Sequence, residues 1–222
     1  MGKLIVIEGV DGSGKETQSC QLLARLLFNG IPARRIAFPN YTSQSSGPIK
    51  MYLAGEFGGR KDVDIYAAST LYAIDRWAGF NGDWRKDYDQ GTIIVADRYV
   101  GSNAISQGSR CKGSEELDAY LNWLKGFEFG LMGLPEPDMT LFLDVPPETS
   151  KKLIEHRQRK DSDATGKDIL ESEKTFLNDS YRAAQKVVKD WGWMRVPCTK
   201  NGKLLPTNII SDKVWELVKD CV

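Results

Sequence analysis

The stretch LIVIEGVDGSGKETQ, residues 4–18, decides the fold. Leu4–Ile7 is an unbroken apolar run, the pattern of a strand buried on both faces of a sheet. Gly9 to Lys15 follows as GVDGSGK and fits the spacing GxxxxGK. Lys15 to Phe28 then reads as a helix, with Leu22, Leu23, Leu26 and Leu27 on one side and Asn29-Gly30 as its stop. Strand, glycine-rich loop, lysine and helix in that order make a phosphate-binding loop. Its glycines let backbone N–H groups curl around phosphate oxygens, and the helix N-terminus adds the positive end of a dipole. Lys15 supplies a mobile cation for β- and γ-phosphates. A glycine-rich turn beside a surface lysine would leave this order unexplained. Gly9, Asp11, Gly12, Ser13, Gly14, Lys15, Glu16 and Thr17 are the expected contacts of a bound ATP. One position departs from the pattern. The residue after the lysine is usually a Ser or Thr that ligates Mg²⁺; here it is Glu16, followed by Thr17.

Outward from the loop, short apolar runs alternate with helical spacing. Strands are predicted at Arg34–Phe38, Thr92–Ala96, Met139–Val145 and Trp193–Pro197. Helices are predicted at Asp64–Phe80, at Glu115–Phe129, after the Pro-Pro pair through His156, before Asp190, and at Asn208–Lys219. Alternation of this kind implies βαβ units and an α/β fold, with ligands at the carboxyl ends of parallel strands. The 222 residues suffice for one such domain spanning 1–222.

Thirty basic residues balance thirty acidic ones, which argues against a general nucleic-acid or membrane-surface binder. Small anionic ligands need only local basic groups. The four cysteines, Cys20, Cys111, Cys198 and Cys221, are far apart and contain no CxxC pair, as expected for reduced thiols rather than a metal cluster. The N-terminal run is too short for a signal peptide, and no apolar stretch approaches the ~20 residues that span a bilayer. A cytoplasmic protein is expected.

The strand at Thr92–Ala96 ends in Asp97-Arg98-Tyr99. An acid at a strand end beside a phosphate loop is placed to hold Mg²⁺ through water, and an adjacent arginine can grip a second phosphate bidentately. A structural Asp–Arg pair capping the strand is the competing reading. No NKxD-type guanine-reading motif is present, which argues against a Ras-like GTPase.

With IEGVDGSGK at 7–15, FPNY at 38–41, LYAIDRW at 71–77, DRYVGSNA at 97–104, GLPEPDMTLFLDVPPE at 133–148 and the basic segment from Arg157, the chain resembles thymidylate kinases over nearly its whole length. The resemblance implies a P-loop kinase fold, a five-stranded parallel sheet flanked by helices with a short mobile lid at about 157–167. It also implies phosphoryl transfer from Mg·ATP to dTMP in dTTP biosynthesis, and a homodimer.

Roles carry over where residues match. Asp11 resembles the carboxylate that accepts from the sugar 3′-hydroxyl, and Arg98 the arginine on the dTMP phosphate. Tyr72 and Arg76 occupy the positions that stack on thymine and donate to its O4; four apart on a helix, they share a face. Read without the resemblance, they are a core tyrosine and a surface arginine. Ser102 and Asn103 fall in the pyrimidine-reading segment, and Phe38 and Pro39 in the wall of the monophosphate site.

Two positions vary among branches of the family. Tyr41 stands where some members carry an arginine, and Gly12 where some carry a basic residue. Members lacking that loop cation place it in the lid, here Arg157-Gln158-Arg159-Lys160, so Arg157 and Arg159 are the expected catalytic cations beside Lys15 and Arg98. The bland reading of that segment is a solvated loop of mixed charge. The metal role is expected of Asp97 and of Glu16, whose alternative is a plain helix-start acid. The adenine pocket is expected near the lid start and Cys198–Leu205. Other readings are a related nucleoside-monophosphate or deoxynucleoside kinase, and a non-catalytic nucleotide-binding module.

Overall fold

The apolar run at the N-terminus forms the central strand. The computed structural model describes residues 1–160 and 175–222, and side chains for 1–156 and 175–222. Strand β1 (Leu4–Glu8) is buried at every position. The other strands are β2 (Ala33–Ala37), β3 (Ile93–Asp97), β4 (Met139–Asp144) and β5 (Met194–Pro197), with a small hairpin of β6 (Thr199–Lys200) and β7 (Lys203–Leu204). The sheet order is β2-β3-β1-β4-β5, and every pair in it is parallel. The helices are α1 (Lys15–Phe28), α2 (Gly47–Leu53), α3 (Ile65–Gly79), α4 (Arg85–Asp89), α5 (Val100–Ser106), α6 (Ser114–Lys125), α7 (Pro147–Lys160), α8 (Phe176–Asp190) and α9 (Thr207–Val218).

Strand side chains alternate between faces, so a strand covered on both sides must be apolar throughout. Leu4 and Val6 join Ile94 and Ala96 on one face, against Phe80, Trp84, Tyr99, Tyr120 and Leu124. Ile5 and Ile7 join Val95, Leu141 and Leu143 on the other, against Leu22 and Leu26 of α1 and Ile210, Val214 and Val218 of α9. Each fully buried aliphatic side chain contributes about 1.5–3 kcal/mol.

Strand predictions fall within a residue or two of the observed bounds. Asp64 proves to be the N-cap of α3, accepting from Tyr66 N–H at 2.8 Å. Three findings differ from expectation. The helix predicted through Phe129 ends as an α-helix at Lys125 and continues as a wider π-helical turn, Gly126–Leu131, closed by Met132 N–H on Phe127 O at 2.9 Å. The wider turn carries Glu128 into the interior, where it meets a buried arginine. Helix α7 does not stop at His156 but runs on to Lys160, since no Gly or Pro interrupts Lys151–Lys160. Helices α2, α4 and α5, of seven, five and seven residues, are too short to show a period. The rest of the expected lid, 161–167, and the side chains of Arg157 and Arg159 lie outside the described residues.

Candidate active site

The carboxyl end of β1 opens into the phosphate loop, and the loop needs its glycines. Gly12 has φ 75° and Gly14 φ 87°, backbone conformations that side chains disfavour. A Cβ at Gly12 would also lie 2.8 Å from both Ser150 O and the Ile154 side chain. Lys15 is folded back over the loop, donating to Gly9 O at 2.9 Å and Val10 O at 2.8 Å. Burial, followed by repulsion from Arg98, lowers its pKa to about 8. The Ser13 hydroxyl is buried and has no hydrogen-bond partner among the described residues. An orphaned donor in a cradle of backbone N–H groups matches a phosphate oxygen.

The register of β1 with β3 pairs Ile7 with Asp97, so the chain leaves β3 beside the loop. Arg98 follows with φ 69°, its N–H on Ile7 O at 3.1 Å. That turn aims its guanidinium at the loop, where Nη2 donates to Asp11 Oδ1 at 2.7 Å. Partial desolvation opposes the charge, but Asp11, Glu8 and Asp97 outweigh it and hold the guanidinium above its ordinary range. The Asp97–Arg98 pair considered from sequence does not form. Asp97 Oδ2 accepts instead from Arg35 Nη2 at 2.7 Å, and Arg35 Nε donates to Ser19 Oγ at 2.7 Å. Glu16 and Thr17 are exposed on the first turn of α1.

Helices α3 and α5 build the other wall. Arg76 on α3 is only 1% exposed, contrary to the reading of a surface arginine. Its Nε and Nη2 grip the two Glu128 oxygens, each at 2.6 Å, and Nη1 points to Tyr99 O at 3.4 Å. Tyr72, one turn earlier, is half-buried and packs edge-on against Tyr52, with ring centroids 6.4 Å apart. Asn103 Nδ2 donates to Ser69 O at 3.1 Å, tying α5 to α3. Ser102 donates to Glu8 Oε2 at 2.8 Å. Phe38 packs 6.1 Å from the Tyr99 ring, and Pro39 is half-buried beside it. Asp75 fixes the following loop, accepting from Asn40 N–H at 2.8 Å and Ser45 Oγ at 2.5 Å. Tyr41 stands exposed on that loop.

Residues 7–203 match the family pattern described as thymidylate kinase. The chain belongs to the thymidylate kinase family. The Mycobacterium tuberculosis thymidylate kinase is 33% identical over 161 residues, covering 71% of this chain and 73% of its own. That of Prochlorococcus marinus (strain NATL2A) is 30% identical over 226 residues, covering 99% of each. A solved thymidylate kinase structure from Candida albicans superposes with TM-score 0.71 at 25% identity, covering 99% of this chain and 92% of that one.

Within this thymidylate kinase fold, six of the expected residues lie along one path, while Glu16, Thr17 and Tyr41 are exposed. The path runs from Asp11 and Lys15 through Arg98 and the Tyr99 carbonyl to Arg76, and across α5 to Ser102 and Asn103. Glu8, which holds Tyr99 and Ser102, Glu128, which holds Arg76, Arg35, which holds Asp97, and Asp75, which holds the loop at Asn40 and Ser45, were not singled out from sequence. Two of them did leave a signal: Glu8 ends an otherwise apolar strand, and Glu128 sits between two phenylalanines in FEF. The fork on Glu128 changes what an Arg76 variant reports. Arg76→Ala should lower stability by about 3–5 kcal/mol, because it strands a buried carboxylate. Urea unfolding measures this; a loss under 1 kcal/mol would show that water reaches Glu128.

Proposed function

We propose that the chain transfers the γ-phosphoryl group of ATP to dTMP, giving dTDP and ADP, with Lys15 and Arg98 at the reacting phosphates. The supporting observation is that Arg98, just past the end of β3, and Lys15, at the start of α1, converge on one glycine-rich loop, Arg98 paired with Asp11 and Lys15 donating to the Gly9 and Val10 carbonyls. Two cations at one junction suit two phosphates brought together. A coupled assay of ADP release over a panel of acceptors tests the reading. Fastest release with dTMP is expected; a nucleoside or another monophosphate outperforming it, or no release at all, would overturn it.

The acceptor oxygen is already anionic, so no strong base is required and the protein's work is positioning and charge stabilisation. Lys15 leaves the loop carbonyls for the donor phosphates. The outer part of the Arg98 fork takes the dTMP phosphate while Nη2 stays on Asp11. Asp11 accepts from the sugar hydroxyl, Tyr72 stacks on the base, and Arg76 offers Nη1. Phe38, Pro39 and Tyr41 line the monophosphate site, and Ser102 and Asn103 belong to the pyrimidine-reading side. Arg157 and Arg159 supply the closing cation. If Arg76 reads the base, Arg76→Lys, which keeps a cation beside Glu128, raises the KM for dTMP roughly tenfold and spares ATP. Equal effects on both substrates would remove Arg76 from the pocket.

Mg²⁺ fits as an ion held mainly by the nucleotide. Among the described residues no three His, Cys, Asp or Glu side chains gather to hold a metal, and Mg²⁺ bound with ATP needs only one or two carboxylates besides phosphate oxygens and water. Asp97, whose Oδ2 is paired with Arg35, is the carboxylate we assign to it, with Glu16 as the second. Bound by these residues, the ion would supply neutralisation of the ATP phosphate charge. Glu16→Ala should raise the Mg²⁺ concentration needed for half-maximal turnover and leave the KM for dTMP unchanged. An unchanged Mg²⁺ requirement would make Glu16 a helix-start acid stabilised by the dipole.

We also propose a homodimer. Ile74 and Trp77 on α3 are 42% and 46% exposed, and Tyr66 and Trp123 stack edge-on 4.7 Å apart on the α3–α6 side. Light scattering should give twice 24.9 kDa; a monomer at micromolar concentration would sink this. No helix among the described residues is long and apolar enough to cross a membrane, and all four cysteines are free. Reduced thiols fit a cytoplasmic enzyme, which cell fractionation checks: recovery with the membrane pellet would contradict it.

A further inference from the structure

A fully buried carboxylate lies between the two halves of the site and has no part in the chemistry above. Glu8 ends β1, one residue before the phosphate loop, and has no exposed surface. A carboxylate there loses its hydration, and the loss is tolerable only with strong partners. Oε1 accepts from Tyr99 N–H at 2.8 Å and Oε2 from the Ser102 hydroxyl at 2.8 Å. Burial pushes its carboxyl up, while the Tyr99 N–H and Arg98 pull it back.

Those partners form the start of α5. Tyr99 is the N-cap residue, and its own side chain does not cap the helix. Glu8 reaches across from the neighbouring strand and holds that end instead. The approach is close: a Cβ at Gly101 would come within 3.1 Å of Glu8 Oε1 and 2.5 Å of the Trp193 ring. Between β3 and α5 stands Arg98, in the left-handed region at φ 69°. A non-glycine residue there costs about 1–2 kcal/mol and persists only when its surroundings over-determine it. Two consecutive residues of β1 do so. Ile7 O holds the Arg98 N–H at 3.1 Å, and the Glu8 carboxylate holds the next N–H along.

We propose that Glu8 is a positioning residue that clamps the Arg98–Ser102 segment to the strand carrying the donor-phosphate loop. It thereby sets the spacing between the phosphoryl group that is transferred and the oxygen that receives it. This rests on the reading of Arg98 and Ser102 as acceptor-site residues. The phosphate loop begins at Gly9 and the acceptor segment at Arg98, and Glu8 joins them with two hydrogen bonds and no intervening side chain.

Three variants separate geometry from charge. Glu8→Gln keeps the reach: its carbonyl can accept from Tyr99 N–H, and its amide can donate to Ser102 Oγ. Glu8→Asp keeps the charge but is one methylene too short to hold both partners. Glu8→Ala removes both. The clamp predicts near-normal kcat for Glu8→Gln, a clear loss for Glu8→Asp, and about a hundredfold loss for Glu8→Ala, since a misplacement of about 1 Å costs that much. The KM for ATP should change little in all three. Thermal unfolding of each variant reports the folded fraction used to normalise kcat.

Normal kcat per folded molecule in Glu8→Asp or Glu8→Ala would reduce Glu8 to a structural role and overturn the proposal. Glu8→Gln failing while Glu8→Asp works would assign the effect to charge, with the same consequence. If Glu8→Ala does not fold, the Gln-against-Asp order decides alone. Absence of dTMP-dependent ADP release in the wild type would instead strike the proposed function.

Discussion

Lys15→Met should lower turnover by about a thousandfold, with the protein still folded, because Lys15 is proposed to face charge that develops on the transferred phosphoryl group. Methionine keeps most of the buried stem, so packing against the loop is retained. The change takes the Lys15 donor from Gly9 O and Val10 O, both on buried residues, so thermal unfolding of the variant gives the folded fraction used to normalise turnover. A variant that keeps a tenth of the wild-type turnover would remove Lys15 from the transition state. A pH profile adds an independent reading. With its pKa lowered to about 8, Lys15 in the free protein loses its proton as pH rises through that value. The kcat/KM for ATP reports free enzyme and should fall there. In the bound complex, phosphate oxygens beside the ammonium favour its charged form, so kcat should hold to higher pH. Lys15→Met should lack the alkaline fall in kcat/KM.

The sheet was legible in the sequence because burial on both faces writes itself as unbroken apolar runs. Leu4–Ile7, the strand before Asp97 and MTLFLDV at 139–145 all carry that mark. The phosphate loop was legible because its chemistry is local: seven consecutive residues hold the glycines and the lysine. The pairings were not, because they join residues remote in sequence. Glu8 meets Tyr99 across 91 positions, Arg35 meets Asp97 across 62, and Arg76 meets Glu128 across 52. Each pairing depends on the strand order β2-β3-β1 or on the π-helical turn at Gly126–Leu131, neither of which has a local signature. Arg76 shows the consequence. Spacing puts it on one face with Tyr72, and only the fold reveals that two of its three nitrogens are already committed to Glu128.

Arg98→Gly should lower turnover by about a thousandfold and leave stability nearly unchanged, since the site loses a charged donor at the reacting phosphates while the backbone loses a strained side chain. Of the three stability terms, the first opposes the other two. Glycine relieves about 1–2 kcal/mol of left-handed strain at φ 69° and adds up to about 1 kcal/mol of unfolded-state entropy. The lost ion pair with Asp11 is about one-third exposed on both sides, so its contribution is within about 1 kcal/mol. Arg98→Ala removes the same guanidinium but keeps the strain, so it should be the less stable of the two with equal loss of turnover. Arg98→Lys keeps a charge without a fork, and should recover part of the rate but not the affinity for dTMP. Urea unfolding and ADP release on the three variants test this together. If Arg98→Gly unfolds far more readily than Arg98→Ala, the left-handed turn is not a strain held by Ile7 and Glu8. If Arg98→Lys restores full turnover and full dTMP affinity, the fork is not what holds the acceptor phosphate, and a single positive charge over Asp11 is enough.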